Sequence, residues 1–435
     1  RHYLCRRLKK MAVDVLLRRD LPNLAPTGCG PLTPPLSSSI KPLRQQVFEA
    51  IRAAGSIARV DVARKVGISP GSVTAITSEL IDTGLIRETG SPQRDAESGR
   101  GRPPVALSVR PGARFVAGIK LSSPSHSAVI VDFAGNRIGE ASAPRAHARH
   151  STADILTETA DMLDAALRAA RLGRDDLAAV GLGVPGFVDA DRGRIQWSPI
   201  MADTDVPLAE MVAERIGKPV SVDNDANLLT MAELWFGAGR ALPDFAVVTI
   251  EHGVGMGLVV NHEIYRGAGG MGMELGHTKV HLDGALCRCG QRGCLEAYVA
   301  DYALVREAST ALNWTSAERE PQIILESLFS HAKAGNAAAR SIFHRAGRFL
   351  ALGLANVVTL FDPGLIILSG ARMRYDYLYA RDVLAEMTSL SPATHAKGPR
   401  VETHAWGDMI WAQGAAALAL AAVTDDLLGA QATGK

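Results

Sequence analysis

The chain lacks any apolar run long enough to cross a bilayer. The longest, GLIILSG and GAAALALAAV, fall short of the roughly 20 residues that a spanning helix needs, and charges flank them. A soluble, cytoplasmic protein with no membrane contact is expected. Cysteine is scarce too. Five in 435 residues cannot make the disulfide framework of a small secreted domain, so a reducing compartment and a metal role fit better. No secretory leader is expected either: MAVDVLL follows a basic start, but Asp14 interrupts the apolar stretch and Arg18 and Arg19 end it. The chain begins with Arg rather than Met, which makes Met11 a candidate for the true start. With 47% apolar and 21% charged residues, it is too apolar for disorder and too long for one core, so two or three domains are expected.

The net charge of +2 hides an imbalance. Residues 1–110 carry 18 Lys or Arg against 9 Asp or Glu, and the remainder 29 against 36. A basic front on an acidic body suggests that the front meets a polyanion, most economically double-stranded DNA. Residues 1–40 end in PTGCGPLTPPLSSSI without sustained periodicity, and a disordered basic arm is expected there.

From Pro42 the pattern turns helical, with Leu43, Val47 and Ile51 on one face and an end near Gly55. RVDVARKVG and ISPGSVTAITSELIDTGLI follow. Ser69 suits an N-cap with Pro70 at the first helical position, and Val73, Ile76 and Leu80 form the expected buried stripe. Helix, short helix, Gly turn, helix is the helix-turn-helix order. Ser69, Ser72, Thr74, Thr77 and Ser78 are then the expected hydroxyl contacts to DNA. That outward face holds no Arg, Lys, Asn or Gln, so bidentate base readout is not evident. LIRETG and PPVALSVR read as two strands around SPQRDAESGRGRPP, a wing whose Arg100 and Arg102 suit phosphates or a minor groove. A DNA-binding domain is expected over residues 41–110; the plainer alternative is a three-helix packing unit with a charged linker.

The remainder repeats itself. FVAGIKLSSPSHSAVIVDFAGNRI and FAVVTIEHGVGMGLVVNHEIYRG are each strand, turn, strand, tight turn, strand, which suggests two related α/β lobes with a cleft between them. In VDNDANLLTMAELWFGAG, Asp223, Asn224 and Asp225 sit where a strand gives way to a helix. Carboxylates there either cap the helix or serve as sugar-hydroxyl ligands or a general base. Three of the five cysteines fall in GHTKVHLDGALCRCGQRGCLE. With His277, these three, Cys287, Cys289 and Cys294, make a Cys₃His set, the ligand type of a closed structural Zn2+ site, with Gly290 and Gly293 permitting the tight turns. Such an ion braces a loop and leaves no open position for chemistry. It would fix the flanking Glu274 and Glu296.

These last residues resemble the signature of the ROK family, the group of bacterial repressors and sugar kinases. The likeness extends through GLGVPGFVD, VDNDAN, RGAGGMGMELGH and FDPGLIILSG, about residues 111–425, while the helix-turn-helix and GRGRPP are similar to the repressor branch. The resemblance implies an actin-like, ribonuclease H-like sugar-kinase body of two lobes, 111–240 and 241–425, the second holding zinc, behind a winged helix. It also implies that Asn224, Asp225, Glu274, His277 and Glu296 line a sugar site, with Asp225 at the position of the kinases' catalytic base.

The chain departs from the kinases at the phosphate loops. Where they carry an acidic residue and Gly-Gly-Thr, it has Lys120, Leu121, Ser122, Ser123 and Pro124; Pro124 lacks an N–H and the bulkier side chains obstruct close approach of the backbone. The second loop, normally Gly-Thr-Gly, reads Glu251, His252, Gly253, and a carboxylate there repels phosphate. Ser369 and Gly370 replace a Gly-Gly pair. The expectation is therefore a carbohydrate-responsive repressor without catalytic activity, working as a homodimer or homotetramer on a DNA operator and controlled by a sugar or sugar phosphate. An ATP-dependent sugar kinase with an appended DNA-binding domain is the enzymatic rival. A repressor governed by a protein partner is the third reading.

Overall fold

A computed structural model describes residues 16–18, 28–32, 41–90, 105–145, 148–312, 321–370, 373, 375, 376, 381–392 and 398–429. No helix among them is long and apolar enough to cross a membrane. The chain divides into two compact units. Pro22–Pro243, Val259–Gly272 and Gly407–Lys435 build the N-terminal unit; Asp244–Leu258 and Met273–Trp406, with the first strand β1 (Leu16–Arg18), build the C-terminal one.

The N-terminal unit opens with the expected winged helix. Helices α1 (Leu43–Ala54), α2 (Arg59–Val66) and α3 (Pro70–Asp82) are followed by β3 (Ile86–Thr89) and β4 (Ala106–Val109), with the short β2 (Ile57–Ala58) between the first two helices. The sheet runs β2-β4-β3 and is antiparallel, pairing Ile86 with Val109 and Ile57 with Leu107. Ser69 caps α3 by accepting the Ser72 N–H at 3.1 Å, with Pro70 in the first turn.

Two details of the sequence reading change. Val73, Thr77 and Leu80 form the buried stripe of α3, so Thr77, fully buried, is not an outward DNA contact. Its hydroxyl donates to Thr74 O and receives Arg59 Nε at 3.2 Å; spacing i, i+4, i+7 puts 77 rather than 76 beneath Val73. Leu43 is also exposed rather than part of the core face of α1.

After the wing come β5 (Phe115–Lys120), β6 (Ser125–Asp132), β7 (Arg137–Pro144), α4 (Thr152–Ala170), β8 (Leu177–Val184), β9 (Phe187–Asp189), β10 (Arg194–Trp197), α5 (Leu208–Ile216), β11 (Val220–Asn224) and α6 (Asp225–Phe236). The sheet order is β11-β8-β5-β6-β7, parallel through β5 and antiparallel beyond it. Val, Ile and Leu fill the middle strands because both faces are covered. A Ser151–Asp154 capping box starts α4, which lies across β6 and β7.

In the C-terminal unit, β12 (Phe245–Ile250) and β13 (Val254–Val260) precede β14 (Glu263–Tyr265), whose residues return to the other unit. Helices α7 (Glu296–Val299), α8 (Asp301–Ala311), α9 (Pro321–Lys333) and α10 (Ala337–Phe361) come before β15 (Leu365–Ser369), α11 (Arg381–Leu390) and β16 (Arg400–His404). The order β13-β12-β15-β16 repeats β6-β5-β8-β11, which is the duplication visible in the sequence. A separate core of Ile250, Leu295, Phe343, Leu354 and Leu368 fills this unit.

The last helix, α12 (Ile410–Leu428), corrects the expected lobe boundary at 425: it belongs to the N-terminal unit, lying on α6, β5 and β8. This location explains GAAALALAAV, a run apolar all round because it is buried rather than membrane-bound. Small residues let the backbones meet. A Cβ on Gly118 would stand 2.0 Å from Ala412 O, and one on Gly181 1.9 Å from Ala415 O.

The arm expected over residues 1–40 is also not wholly loose. Leu16–Arg18 pair in parallel with β16, and residues 28–32 are stitched into the N-terminal unit, where Cys29 is 1% exposed. Arg100 and Arg102 lie outside the described residues.

Candidate functional site

The β11–α6 junction is built around a buried carboxylate. Asp223 Oδ2 receives Arg266 Nε at 2.8 Å and Nη2 at 2.7 Å, while its Oδ1 receives the Asn224 N–H and Asn227 Nδ2, both at 2.8 Å. Four donor contacts saturate the two carboxylate oxygens and fix the turn. Asn224 caps α6 through Oδ1 to the Asn227 N–H at 2.8 Å, and Asp225, first residue of the helix, accepts the Ala226 N–H at 3.0 Å. The capping role and a ligand role are compatible: these groups stand at a helix N-terminus with geometry set from below. Arg266 was missed in the sequence, although RGAGG, a cation before a run of glycines, was visible there.

His277, Cys287, Cys289 and Cys294 converge in the C-terminal unit, with all four ligand atoms within 4.8 Å of one another. A tetrahedral ion with sulfur bonds of about 2.3 Å sets its ligands about 3.8 Å apart. Cys289 Sγ lies 3.7 Å from Cys294 Sγ, and Cys287 Sγ 3.7 Å from His277 Nδ1, so the donors fit such an ion. Lys279 Nζ donates to Cys294 Sγ at 2.9 Å.

Glu274 and Glu296 lie against this cluster. Glu274 Oε2 is 4.0 Å from His277 Nε2; Glu296 Oε1 faces Cys287 Sγ at 3.6 Å and Tyr302 OH at 3.4 Å. The other oxygen of Glu296 accepts the Val254 N–H at 3.3 Å, and a Cβ on Gly253 would come within 2.8 Å of it. Thus the Gly of the second phosphate-loop position serves Glu296. Of the five sugar-site candidates, Asn224 and Asp225 lie in one unit and Glu274, His277 and Glu296 in the other.

The first loop has other partners. Lys120 Nζ sits 3.6 Å over the Trp411 ring, the Ser122 N–H donates to His126 Nδ1 at 3.1 Å, and the Arg145 N–H donates to Pro124 O at 2.7 Å. His126 Nε2 meets Glu158 Oε2 at 3.0 Å, and Glu158 also binds Arg145 at 3.1 Å and His150. The Ser122 amide is thus bonded within the protein. At the second loop the Glu251 N–H donates to Gly253 O at 2.9 Å, and His252 Nδ1 lies 3.3 Å from Asp301 Oδ2. A Cβ on Gly370 would stand 2.8 Å from Ile250 O, while Ser369 Oγ donates to His404 O at 3.1 Å.

Burial holds His126 below the ordinary imidazole value against the opposing pull of Glu158. Glu158, which burial alone would raise, is held low by His126, Arg145 and His150. Both shifts have the same sign for stability: each group binds its proton more readily in the unfolded chain, so acid favours unfolding. For His126 the loss begins as pH falls below about 6.5, and for Glu158 below about 4.3. The melting temperature is expected to drop between about pH 7 and pH 5, with a shallower slope in His126→Asn. Equal slopes in scanning calorimetry would remove His126 from the account.

Residues 125–422 match the ROK family, and residues 41–87 match the winged helix-turn-helix DNA-binding family. The chain is 29% identical over 332 residues to a putative xylose repressor of Caldicellulosiruptor sp. (strain Rt8B.4), covering 74% of this chain and 81% of that one. It is 34% identical over 227 residues to a glucokinase of Halalkalibacterium halodurans, covering 50% of this chain and 68% of that one. In fold it is similar to a ROK family transcriptional regulator described as a homologue of the Escherichia coli MLC protein, with a TM-score of 0.74 at 24% identity over 88% of this chain and 96% of that one. A match over residues 125–422 of 435, with the strand order repeated in two units, leaves one assignment: the chain belongs to the ROK family.

Proposed function

We propose that the chain is a DNA-binding transcriptional repressor of carbohydrate-related genes, whose kinase-like body senses a sugar or sugar phosphate. One observation carries the loss of catalysis: the Ser122 N–H is committed to His126 Nδ1 in the loop where a kinase offers its backbone to phosphate. Lys120 against Trp411 and Glu251 in the second loop support the same reading. The similarity to a xylose repressor and the winged helix on the same chain support DNA control.

In this reading Asn224, Asp225, Glu274, His277 and Glu296 bind sugar hydroxyls, Asp225 being a vestigial base. Zinc occupies the His277, Cys287, Cys289 and Cys294 site, whose three sulfurs and one imidazole suit it better than an oxygen-seeking ion. It holds Glu274 and Glu296 in place. The protein acts in the cytoplasm as a homodimer or homotetramer, because paired half-sites need paired modules.

DNA is contacted by Ser69, Ser72 and Thr74 at the exposed front of α3, and by Arg100 and Arg102 in the wing. Arg100→Ala with Arg102→Ala is expected to weaken binding and to flatten the dependence of log K on log salt by about 2, since two phosphate contacts release about 0.9 counterion each. Fluorescence anisotropy at several salt concentrations measures the slope, and an unchanged slope removes the wing from the contact set.

A thermal-shift and calorimetric screen against monosaccharides, their phosphates and ATP tests the functional reading. Stabilisation by a sugar or sugar phosphate with none from ATP supports it. ADP release that needs both sugar and Asp225 would return the chain to the kinases.

A further inference from the structure

The mechanism rests on the reading above, in which Asn224 and Asp225 hold the effector. They start α6, a helix of 12 residues and therefore about 18 Å long, with every position from Ala226 to Trp235 buried. A helix so enclosed moves as a rod. Its far end is fastened to the DNA-binding module by a short strap of chain. The Gly30 N–H donates to Trp235 O at 2.9 Å, the Leu32 N–H to Arg240 O at 2.7 Å, and the Cys29 N–H to Arg52 O, the last residues of α1, at 3.1 Å. Arg240, buried just past α6, closes the clasp by donating Nε to Gly30 O at 2.9 Å and Nη2 to Ala53 O at 2.6 Å.

The side chains reinforce this joint. The Arg52 guanidinium lies 4.5 Å from the Trp235 ring and 5.4 Å from that of Phe48, so one cation is held between the module and α6. The strap fits without slack. Gly28 has φ +76°, and a Cβ there would stand 2.0 Å from Arg52 O; a Cβ on Gly135 would come within 2.4 Å of Cys29 Sγ. A buried, tightly packed joint of this kind passes displacement on instead of absorbing it.

We propose that α6, the turn carrying Arg240 and the strap Cys29–Leu32 form the link by which occupancy at Asn224 and Asp225 alters the position of the DNA-binding module. Ligand contacts at the first turn shift the rod, Trp235 and Arg240 shift with it, and the clasp carries α1 along. The strap is the coupling element, tied by backbone bonds to Trp235 and Arg240 on one side and to Arg52 of α1 on the other.

Hydrogen–deuterium exchange on the full chain, with and without saturating D-xylose, D-glucose or their phosphates, tests the link. In the wild type, a sugar that alters exchange at 224–236 is expected to alter it at 28–32 and 43–54 as well. Arg240→Gln removes both clasp bonds, and Gly28→Ala displaces the strap from the other side. Either variant is expected to keep sugar affinity within about twofold and the change at 224–236, while the change at 43–54 falls by at least about half. A wild-type response confined to 224–236 overturns the link, as does a full response at 43–54 in the variants. Should no sugar alter 224–236, the sensor reading itself fails and the link falls with it, an outcome distinct from the other two. The wild-type arm decides the matter even if a variant folds poorly.

Discussion

Cys289→Ser is expected to strip the ion from the Cys₃His site and to loosen everything that site holds. Cys289 is the exposed ligand, so its replacement disturbs packing little while removing one of four donors. Structural zinc binding in comparable small domains is worth about 10–16 kcal/mol, and a three-ligand remnant with a serine hydroxyl retains a minor part of it. Zinc content after dialysis against a chelator should fall at least about tenfold. The turns at Gly290 and Gly293 then lose their anchor, and the segment from Thr278 to Leu295 should become sensitive to protease. Because Cys287 faces Glu296 and His277 faces Glu274, sugar affinity should drop by about 10-fold to 100-fold, as for other residues that orient a site through a metal. A zinc-free variant with full sugar affinity would separate the metal from the sugar site.

Gly414→Val should have the largest effect on stability. A Cβ at 414 would stand 1.9 Å from Leu228 O and 2.7 Å from its carbonyl carbon, so the obstacle is the backbone of α6 and not a side chain that can turn away. Helices α6 and α12 must separate, opening the core beneath β5 and β8. Overpacking against yielding neighbours costs about 1–3 kcal/mol, and more is expected against a helix backbone. Soluble yield should collapse, or the melting temperature fall by roughly 8 °C or more. A Gly414→Val protein melting within about 2 °C of the wild type would mean that the two helices have room to part.

The parts of the fold that follow from periodicity were legible. The helix-turn-helix order, the two wing strands and the repeated strand–turn–strand pattern each express a local rule, and each was found. The Cys₃His set was legible because its four members lie within 18 residues of sequence, and the fold brings their ligand atoms within 4.8 Å of one another. What failed depended on phase or on distance along the chain. Thr77 was read as outward because a stripe through 73, 76 and 80 is nearly as good a helical face as one through 73, 77 and 80, and threonine suits either side. The strap at 28–32 was hidden because glycine and proline signal an irregular path without saying what it packs on. The assignment of α12 to the N-terminal unit could not be read locally, since its partners Gly118 and Gly181 lie more than 200 residues earlier. Likewise, nothing near Asp223 pointed to Arg266 as the cation that would saturate it.

The most direct measurement is the affinity of the full chain for a duplex that it selects from a random-sequence pool, read by fluorescence anisotropy with and without D-xylose, D-glucose, their phosphates and ATP. A sugar or sugar phosphate is expected to change this affinity by about 5-fold to 150-fold, the usual range of coupling between two sites, and Asp225→Ala to abolish the change while ATP has no effect. DNA affinity that no sugar alters, together with ADP formation from ATP and sugar, would contradict a sensor and identify a working kinase.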